Sequence, residues 1–161
     1  MGVLEPNVYT HLLRERDEEV QDIVEKHPLA HWVSVLDVLA ALAMLGLMAL
    51  GPAQLSLFSF SLAAALLLHA VWRFVVVRRD RLVITNLRVF RVSGVINTRR
   101  AGMPLFRIVD ITVDKPFIGR LTGFGHITFE NAAQDQGLRD VRFVPDPDAR
   151  EQTIQDLVSG R

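Results

Sequence analysis

Three ionisable side chains lie inside otherwise apolar sequence, where a charge is costly and usually finds a partner. Asp37 is the single charged residue of the run 32–50. The run 55–77 also holds a single charge, Arg73, one helical turn beyond His69. If the two runs form a helical hairpin, Asp37 and His69 lie at nearly the same depth. Their chemistry suits a proton relay, a ligand site or a structural clasp, and we favour a clasp in which Asp37 pairs with His69 or Arg73.

A second candidate site is basic and follows the second apolar run. It consists of Arg73, Arg78, Arg79 and Arg81. Each cation near a bilayer contributes about 1 kcal/mol of attraction to anionic headgroups, so this cluster is a candidate lipid-headgroup site. The same charges also suit an anchor that only sets the orientation of the chain, because positive residues stay in the cytoplasm. We favour the anchor and leave headgroup sensing as the alternative.

A glycine-rich turn is the third candidate, formed by Gly119, Arg120, Gly123 and Gly125. A phosphate-binding loop needs a helix N-terminus behind it, whereas this pattern leads into a strand. We therefore interpret these glycines as positions that need a positive φ or a close packing contact.

Composition excludes several classes of activity. The chain has no cysteine, so it forms no disulfide, thiolate zinc site or cysteine nucleophile. Its formal charge is zero, which argues against a nucleic-acid binder that works by bulk charge. Pro28 separates His27 from His31, and no third ligand is evident, so we expect no metal. No nucleophile–base arrangement is evident, and we expect no catalysis, cofactor or small-molecule substrate.

The two apolar runs predict transmembrane helices over residues 32–50 and 55–77. About 20 apolar residues suffice to cross a bilayer, and Gly51-Pro52 marks a tight turn between the runs. The arginines after the second run place both termini in the cytoplasm and the turn outside. Ahead of the hairpin, residues 8–26 have apolar side chains at helical spacing, which predicts a cytoplasmic amphipathic helical arm over residues 1–31.

Beyond residue 78 the apolar period changes to two, which is typical of an antiparallel sheet curled into a barrel or sandwich. A helix follows Asp146-Pro147, with Ile154, Leu157 and Val158 on one face. The strands are predicted near residues 81–85, 87–93, 96–103, 107–114, 124–131 and 138–144.

The motifs of this region resemble those of the bacterial PH-like domain family. The run Leu82–Gly94 contains Thr-Asn-x-Arg between two strands, and Met103–Ile111 resembles the family's Pro-Leu-x-x-Ile strand. The run Gly119–Glu130 resembles its Gly-Arg-x-x-Gly-x-Gly turn with the strand that follows. Members of this family often carry two transmembrane helices just upstream.

The resemblance implies an α+β membrane protein of the bacterial cell membrane. Its transmembrane hairpin at 32–77 would precede a cytoplasmic domain at 78–161, a seven-stranded PH-like barrel capped by a C-terminal helix. We expect a non-enzymatic binding or scaffolding role, through self-association or docking on a membrane complex. Small residues of the second run, Ser56, Ser59, Ser61 and 63–65, offer faces for helix packing, which favours assembly into a homo-oligomer or a larger complex. A transport accessory using Asp37 and His69 is a further alternative.

Overall fold

The computed structural model describes residues 18–131 and 138–160, which divide into two compact units. Residues 28–77 form one unit, the hairpin. The other unit combines the described residues up to His27 with those from Arg78 onward. The hairpin is therefore an insertion within the chain of the second unit.

This division differs from the predicted one, which separated an arm of residues 1–31 from a domain of residues 78–161. The described residues 18–27 belong to the same unit as those from Arg78 onward, while residues 28–31 belong to the hairpin. The remainder of the predicted arm lies outside the described residues.

The hairpin contains the two helices that the sequence predicts. A 3₁₀ turn at Pro28–His31 leads into α1 (Trp32–Leu50), and α2 follows at Ala53–Arg78. Both helices are long and apolar enough to cross a membrane, judged by length and composition. Most of their large apolar side chains are exposed.

The turn of the hairpin requires glycine at position 51. The N–H of Gly51 donates a hydrogen bond of 2.8 Å to the carbonyl of Leu47, which ends α1. A Cβ at Gly51 would lie only 2.4 Å from that carbonyl oxygen. Any side chain would therefore force the turn open.

The residues buried within α1 and α2 are small, which allows two helices to approach closely. They are Ser34, Ala41, Ser59, Ala63 and Ala70. Of the small residues that the sequence offered for helix packing, Ser59 and Ala63 are buried, whereas Ser61 and Ala65 are exposed.

The second unit opens with a four-stranded antiparallel sheet whose strands pair in the order of the chain. Its strands are β1 (Val20–Glu25), β2 (Arg81–Thr85), β3 (Arg88–Ser93) and β4 (Arg99–Pro104). The pairing of β1 with β2 runs from Val20 opposite Thr85 to Glu25 opposite Arg81. Strands on either side of the hairpin are therefore direct neighbours.

The helix predicted over residues 8–26 is wrong where β1 forms, and residues 8–17 lie outside the described residues. The apolar spacing that resembled a helix has another cause. The register shifts between Val20 and Asp22, and such an irregularity lets Val20 and Ile23 pack on the same cluster. Val24 faces the main core instead. These three residues are β-branched, which favours a strand.

A three-stranded antiparallel sheet completes the unit, with β6 in the centre. Its strands are β5 (Ile108–Asp114), β6 (Phe124–Asn131) and β7 (Asp140–Pro145). A short helix that the sequence did not predict, α3 (Phe117–Thr122), joins β5 to β6. The predicted C-terminal helix is confirmed as α4 (Pro147–Ser159), although Asp146 makes no side-chain capping hydrogen bond.

Both sheets and α4 enclose one hydrophobic core. Ile84 and Val89 enter it from the first sheet, Ile127 and Phe129 from the second, and Ile154 from α4. No strand of one sheet pairs with a strand of the other, so the described residues form two sheets and not the closed form of the predicted barrel; the α+β class is confirmed. A 3₁₀ turn at residues 105–107 intervenes between β4 and β5. The described residues do contain seven strands, but β1 comes from upstream of the hairpin.

Candidate functional site

A buried carboxylate joins three strands at the end of the unit where α2 meets β2. Asp80 accepts two hydrogen bonds from Arg91, at 2.7 Å from Nε and 2.6 Å from Nη2. Lys26 Nζ lies 2.6 Å from the same carboxylate. The Asp80 side chain is 10% exposed, that of Lys26 18% and that of Arg91 22%, so water screens this network only weakly.

The pKa of Asp80 is lowered from its usual value by this network. Burial alone would raise it, but the hydrogen bond from Arg91 and the charge of Lys26 outweigh burial. The pKa of Arg91 is raised in turn, chiefly by its hydrogen bond to Asp80. The network therefore favours the charged forms of Asp80 and Arg91, which suits a structural ion pair between the strands.

The Thr-Asn-x-Arg motif forms a second network of hydrogen bonds and an ion pair, or joint, at the other end of β1. Arg88 donates to both carboxylate oxygens of buried Glu18, at 2.8 and 3.2 Å. The hydroxyl of Thr85 lies 2.8 Å from the same carboxylate. Asn86 exchanges hydrogen bonds with the backbone of Glu19, accepting at 2.9 Å and donating at 3.1 Å. The motif thus holds residues 18 and 19, upstream of the hairpin, against β2 and β3, downstream of it.

The basic cluster is largely committed to contacts within the two units. Arg81 is mostly buried and pairs with Glu25 at 2.8 Å. Arg79 donates to a backbone carbonyl of the β3–β4 turn at 3.2 Å, while Arg78 is exposed. Arg73 belongs to the hairpin, where its buried Nε has no hydrogen-bond partner. A role of these arginines at lipid headgroups stays a prediction.

The structure brings together the two ends of the proposed clasp. Nδ1 of His69 lies 2.8 Å from Oδ2 of Asp37, and the Asp37 side chain is largely buried. Of the two partners the sequence offered, the structure therefore places His69 beside Asp37. The role of this pair as a clasp stays a prediction.

The glycine turn owes its composition to the backbone of α3. Gly123 ends the helix with φ 81°, a left-handed conformation that favours glycine. A Cβ at Gly119 would lie 2.3 Å from the carbonyl oxygen of Phe124, and one at Gly125 would lie 2.8 Å from a proline ring. Arg120 is exposed beside a cavity of about 350 Å³ between α3 and the start of α4.

The two histidines that flank Pro28 contact aromatic rings. The His27 ring lies 5.4 Å from that of Phe124, and the His31 ring lies 4.6 Å from that of Phe74. Across residues 18–131 and 138–160, no group of three or more His, Asp or Glu side chains is arranged to hold a metal ion.

Sequence reasoning missed Lys26, Asp80 and Glu18 as members of these joints. Lys26 pairs with Asp80, and Glu18 pairs with Arg88, across more than 50 residues of sequence. Local spacing therefore could not predict either ion pair. The motif Thr-Asn-x-Arg was visible, but its partner Glu18 falls within residues 8–26, for which the sequence predicted a helix. Only the pairing of β1 with β2 reveals what the motif holds.

Seven antiparallel strands in two sheets, packed with a C-terminal helix, are a PH-like arrangement. The family model described as "Bacterial PH domain" matches residues 33–161, which include all but the first five residues of the hairpin. The chain therefore belongs to the bacterial PH domain family. Strand β1 lies upstream of the matched residues.

A search of solved structures adds one likeness, to the "Vps36 N-terminal PH domain". It has 14% sequence identity and a TM-score of 0.37, and covers 53% of this chain and 65% of that domain. The chain thus spans slightly less than two thirds of the domain it matches. No curated protein matches the chain.

Proposed function

We propose that this chain is a non-enzymatic integral membrane protein of the bacterial cell membrane. Its hairpin crosses the bilayer twice, and its PH-like unit serves as a binding or scaffolding module at the cytoplasmic face. Two observations on the hairpin support insertion: the apolar length of both helices and the exposure of their large side chains. Exposed apolar surface of this extent is far more stable in lipid than in water.

The pairing of β1 with β2 is the observation that carries the topology. Glu25, three residues before the hairpin, lies directly opposite Arg81, four residues after it. A chain that leaves and re-enters one sheet at neighbouring positions must return to the side of the membrane from which it started. The hairpin therefore crosses the bilayer an even number of times, and the unit stays on one side.

The flanking charges support the cytoplasm as that side. Arg78, Arg79 and Arg81 follow α2, whereas the turn at residues 51–54 carries no charge. Positive residues near transmembrane ends remain cytoplasmic. Both termini are then cytoplasmic, and the turn faces outside.

Protein binding is the activity we favour for the PH-like unit, either to a second copy or to a larger membrane complex. The arginines of β3 are engaged inside the unit, Arg88 with Glu18 and Arg91 with Asp80, which leaves less positive charge for headgroups. Headgroup sensing through the basic cluster is therefore the second candidate. A transport role for Asp37 and His69 has the weakest support, since two spans with one acid provide little of a path.

Cysteine accessibility tests the topology cleanly because the chain has no cysteine of its own. Ala53→Cys at the turn and Ser159→Cys near the end of α4 are compared in right-side-out membrane vesicles with a membrane-impermeant maleimide. We expect labelling at position 53 in intact vesicles and at position 159 only after the membrane is opened. Labelling of position 159 from outside would contradict the proposal.

The binding role is tested by purifying the full chain in mild detergent and measuring its mass and its protein companions. A multimer or a stable companion supports scaffolding. Anionic lipid that co-purifies with the chain, and is lost in Arg78→Glu with Arg79→Glu but retained in the exposed control Arg100→Glu, favours headgroup sensing instead.

A further inference from the structure

Helix α3 presents an apolar surface that no described residue of the unit covers. Its side chains of Phe117, Ile118 and Leu121 are 78%, 60% and 74% exposed. These are half of the six residues of the helix. Singly exposed apolar residues are ordinary, whereas three large ones on one short helix mark a contact surface.

The position of α3 in the fold narrows the choice of partner. The helix runs through Gly123 into Phe124, whose ring packs against His27. The N–H of His27 donates a hydrogen bond of 2.7 Å to the carbonyl of Phe143 on the neighbouring strand. His27 is covalently joined to Pro28, the first residue of the hairpin unit. Helix α3 thus lies at the end of the unit from which the hairpin departs.

The composition of α3 itself also suits a bilayer surface, and the carboxylates beside Arg120, Asp146 and Asp148, lie at the start of α4. Arg120 is the only ionisable residue of α3, and it is exposed. Lys115, just before the helix, is paired with Asp148. A short amphipathic element with aromatic and aliphatic side chains and a cation has the composition of interfacial segments, in which the cation reaches the headgroups.

We propose that α3 inserts its apolar side chains into the cytoplasmic leaflet of the membrane that the hairpin crosses, with Arg120 at the headgroups. This inference rests on the proposed function, because it needs the hairpin in the bilayer. The lipid leaflet is a better partner than a second copy. A stable protein interface needs roughly 800 Å² from each side, which three side chains do not supply.

Insertion of α3 gives the PH-like unit a second attachment to the membrane. A unit held only by its connections to the hairpin is free to tilt, whereas a second contact fixes which surface faces the cytoplasm. Strands β5 and β6, which flank α3, would then present a defined surface to protein partners.

Depth-dependent fluorescence quenching tests the proposal on the full chain in liposomes. An environment-sensitive label is attached to a single cysteine at Thr122→Cys, beside the apolar surface. The matched control is Glu130→Cys, exposed at the far end of the same strand that follows α3, roughly 20 Å from Phe124 at 3.3 Å per residue. Gly46→Cys reports on the hairpin, where added atoms meet no neighbour within 4 Å.

We expect lipids spin-labelled high on the acyl chain to quench position 122 about threefold more than position 130, because interfacial helices sink about 5–10 Å below the headgroups. Adding Ile118→Ser and Leu121→Ser should reduce quenching at 122 to the level of 130 and leave position 46 quenched.

Equal quenching at positions 122 and 130, with position 46 quenched, overturns the inference but not the proposed insertion of the hairpin. A label at 122 that is shielded but unquenched indicates a protein partner and also overturns it. Lack of quenching at 46 overturns the proposed function itself.

Discussion

Replacing Asp80 by asparagine should destabilise the PH-like unit strongly. Asparagine keeps the shape of the side chain but leaves Lys26 and Arg91 without a counter-charge. Removing one partner of a fully buried ion pair costs about 3–5 kcal/mol. The side chains here are 10–22% exposed, and water recovers part of that energy. We therefore expect a loss of about 2–3 kcal/mol, a change of roughly 30- to 150-fold in the unfolding equilibrium.

Pulse proteolysis of the full chain in detergent, over a series of urea concentrations, measures this loss. The matched control is Asp114→Asn, an exposed carboxylate at the end of β5. We expect the control to stay within about 0.5 kcal/mol of the natural chain, as surface substitutions usually do. If Asp80→Asn behaves like the control, the joint does not stabilise the unit and the argument from its geometry is refuted.

The effect of Asp80→Asn should also depend on pH in a defined direction. The folded-state pKa of Asp80 lies below its unfolded value of about 3.9. Its stabilising contribution is therefore fully present above pH 4–5 and is lost as the pH falls through the folded-state pKa. The stability difference between the natural chain and the variant should be constant near neutral pH and shrink in acid. A difference that grows in acid would contradict the assigned cause.

Two further substitutions test separate parts of the fold. Gly123→Ala should destabilise the unit by about 1–2 kcal/mol in urea unfolding, because its φ of 81° is strained for alanine. The control Gly46→Ala lies in α1, where an added Cβ meets no neighbour, and should show no loss of stability. Asp37→Asn should lower the thermal stability of the hairpin in detergent by about 0.6 kcal/mol, a typical value for a polar contact between membrane helices, and the loss should vanish when His69→Ala is already present.

Local pattern was enough to predict the elements whose side chains repeat at one period. The two helices of the hairpin follow from the length of their apolar runs, the C-terminal helix from apolar spacing, and the strands from β2 to β7 from alternation. The glycine turn was also predictable, since Gly123 adopts the positive φ that its position suggested.

The remaining features depend on contacts that local pattern does not encode. Strand β1 resembled a helix because its register irregularity places Val20 and Ile23 on one cluster. Helix α3 was missed because its large apolar side chains are exposed, so they do not form the periodic buried face by which a helix is recognised in sequence. The joint of Lys26 with Asp80 spans the whole hairpin, so only the folded sheet brings these residues together.

The pairing of β1 with β2 across the hairpin is the central claim, and a cross-strand disulfide tests it directly. Opposite residues of antiparallel strands lie about 4.5–5.5 Å apart between Cα atoms, within reach of a disulfide. In the full chain, Glu25→Cys with Arg81→Cys should oxidise within one molecule and hold the two fragments together after cleavage at a protease site placed in the turn at residues 51–54. The control pair, Glu25→Cys with Arg100→Cys on β4, should not form this bond, because two strands separate β1 from β4. Fragments that separate when 25 and 81 carry the cysteines would contradict the account.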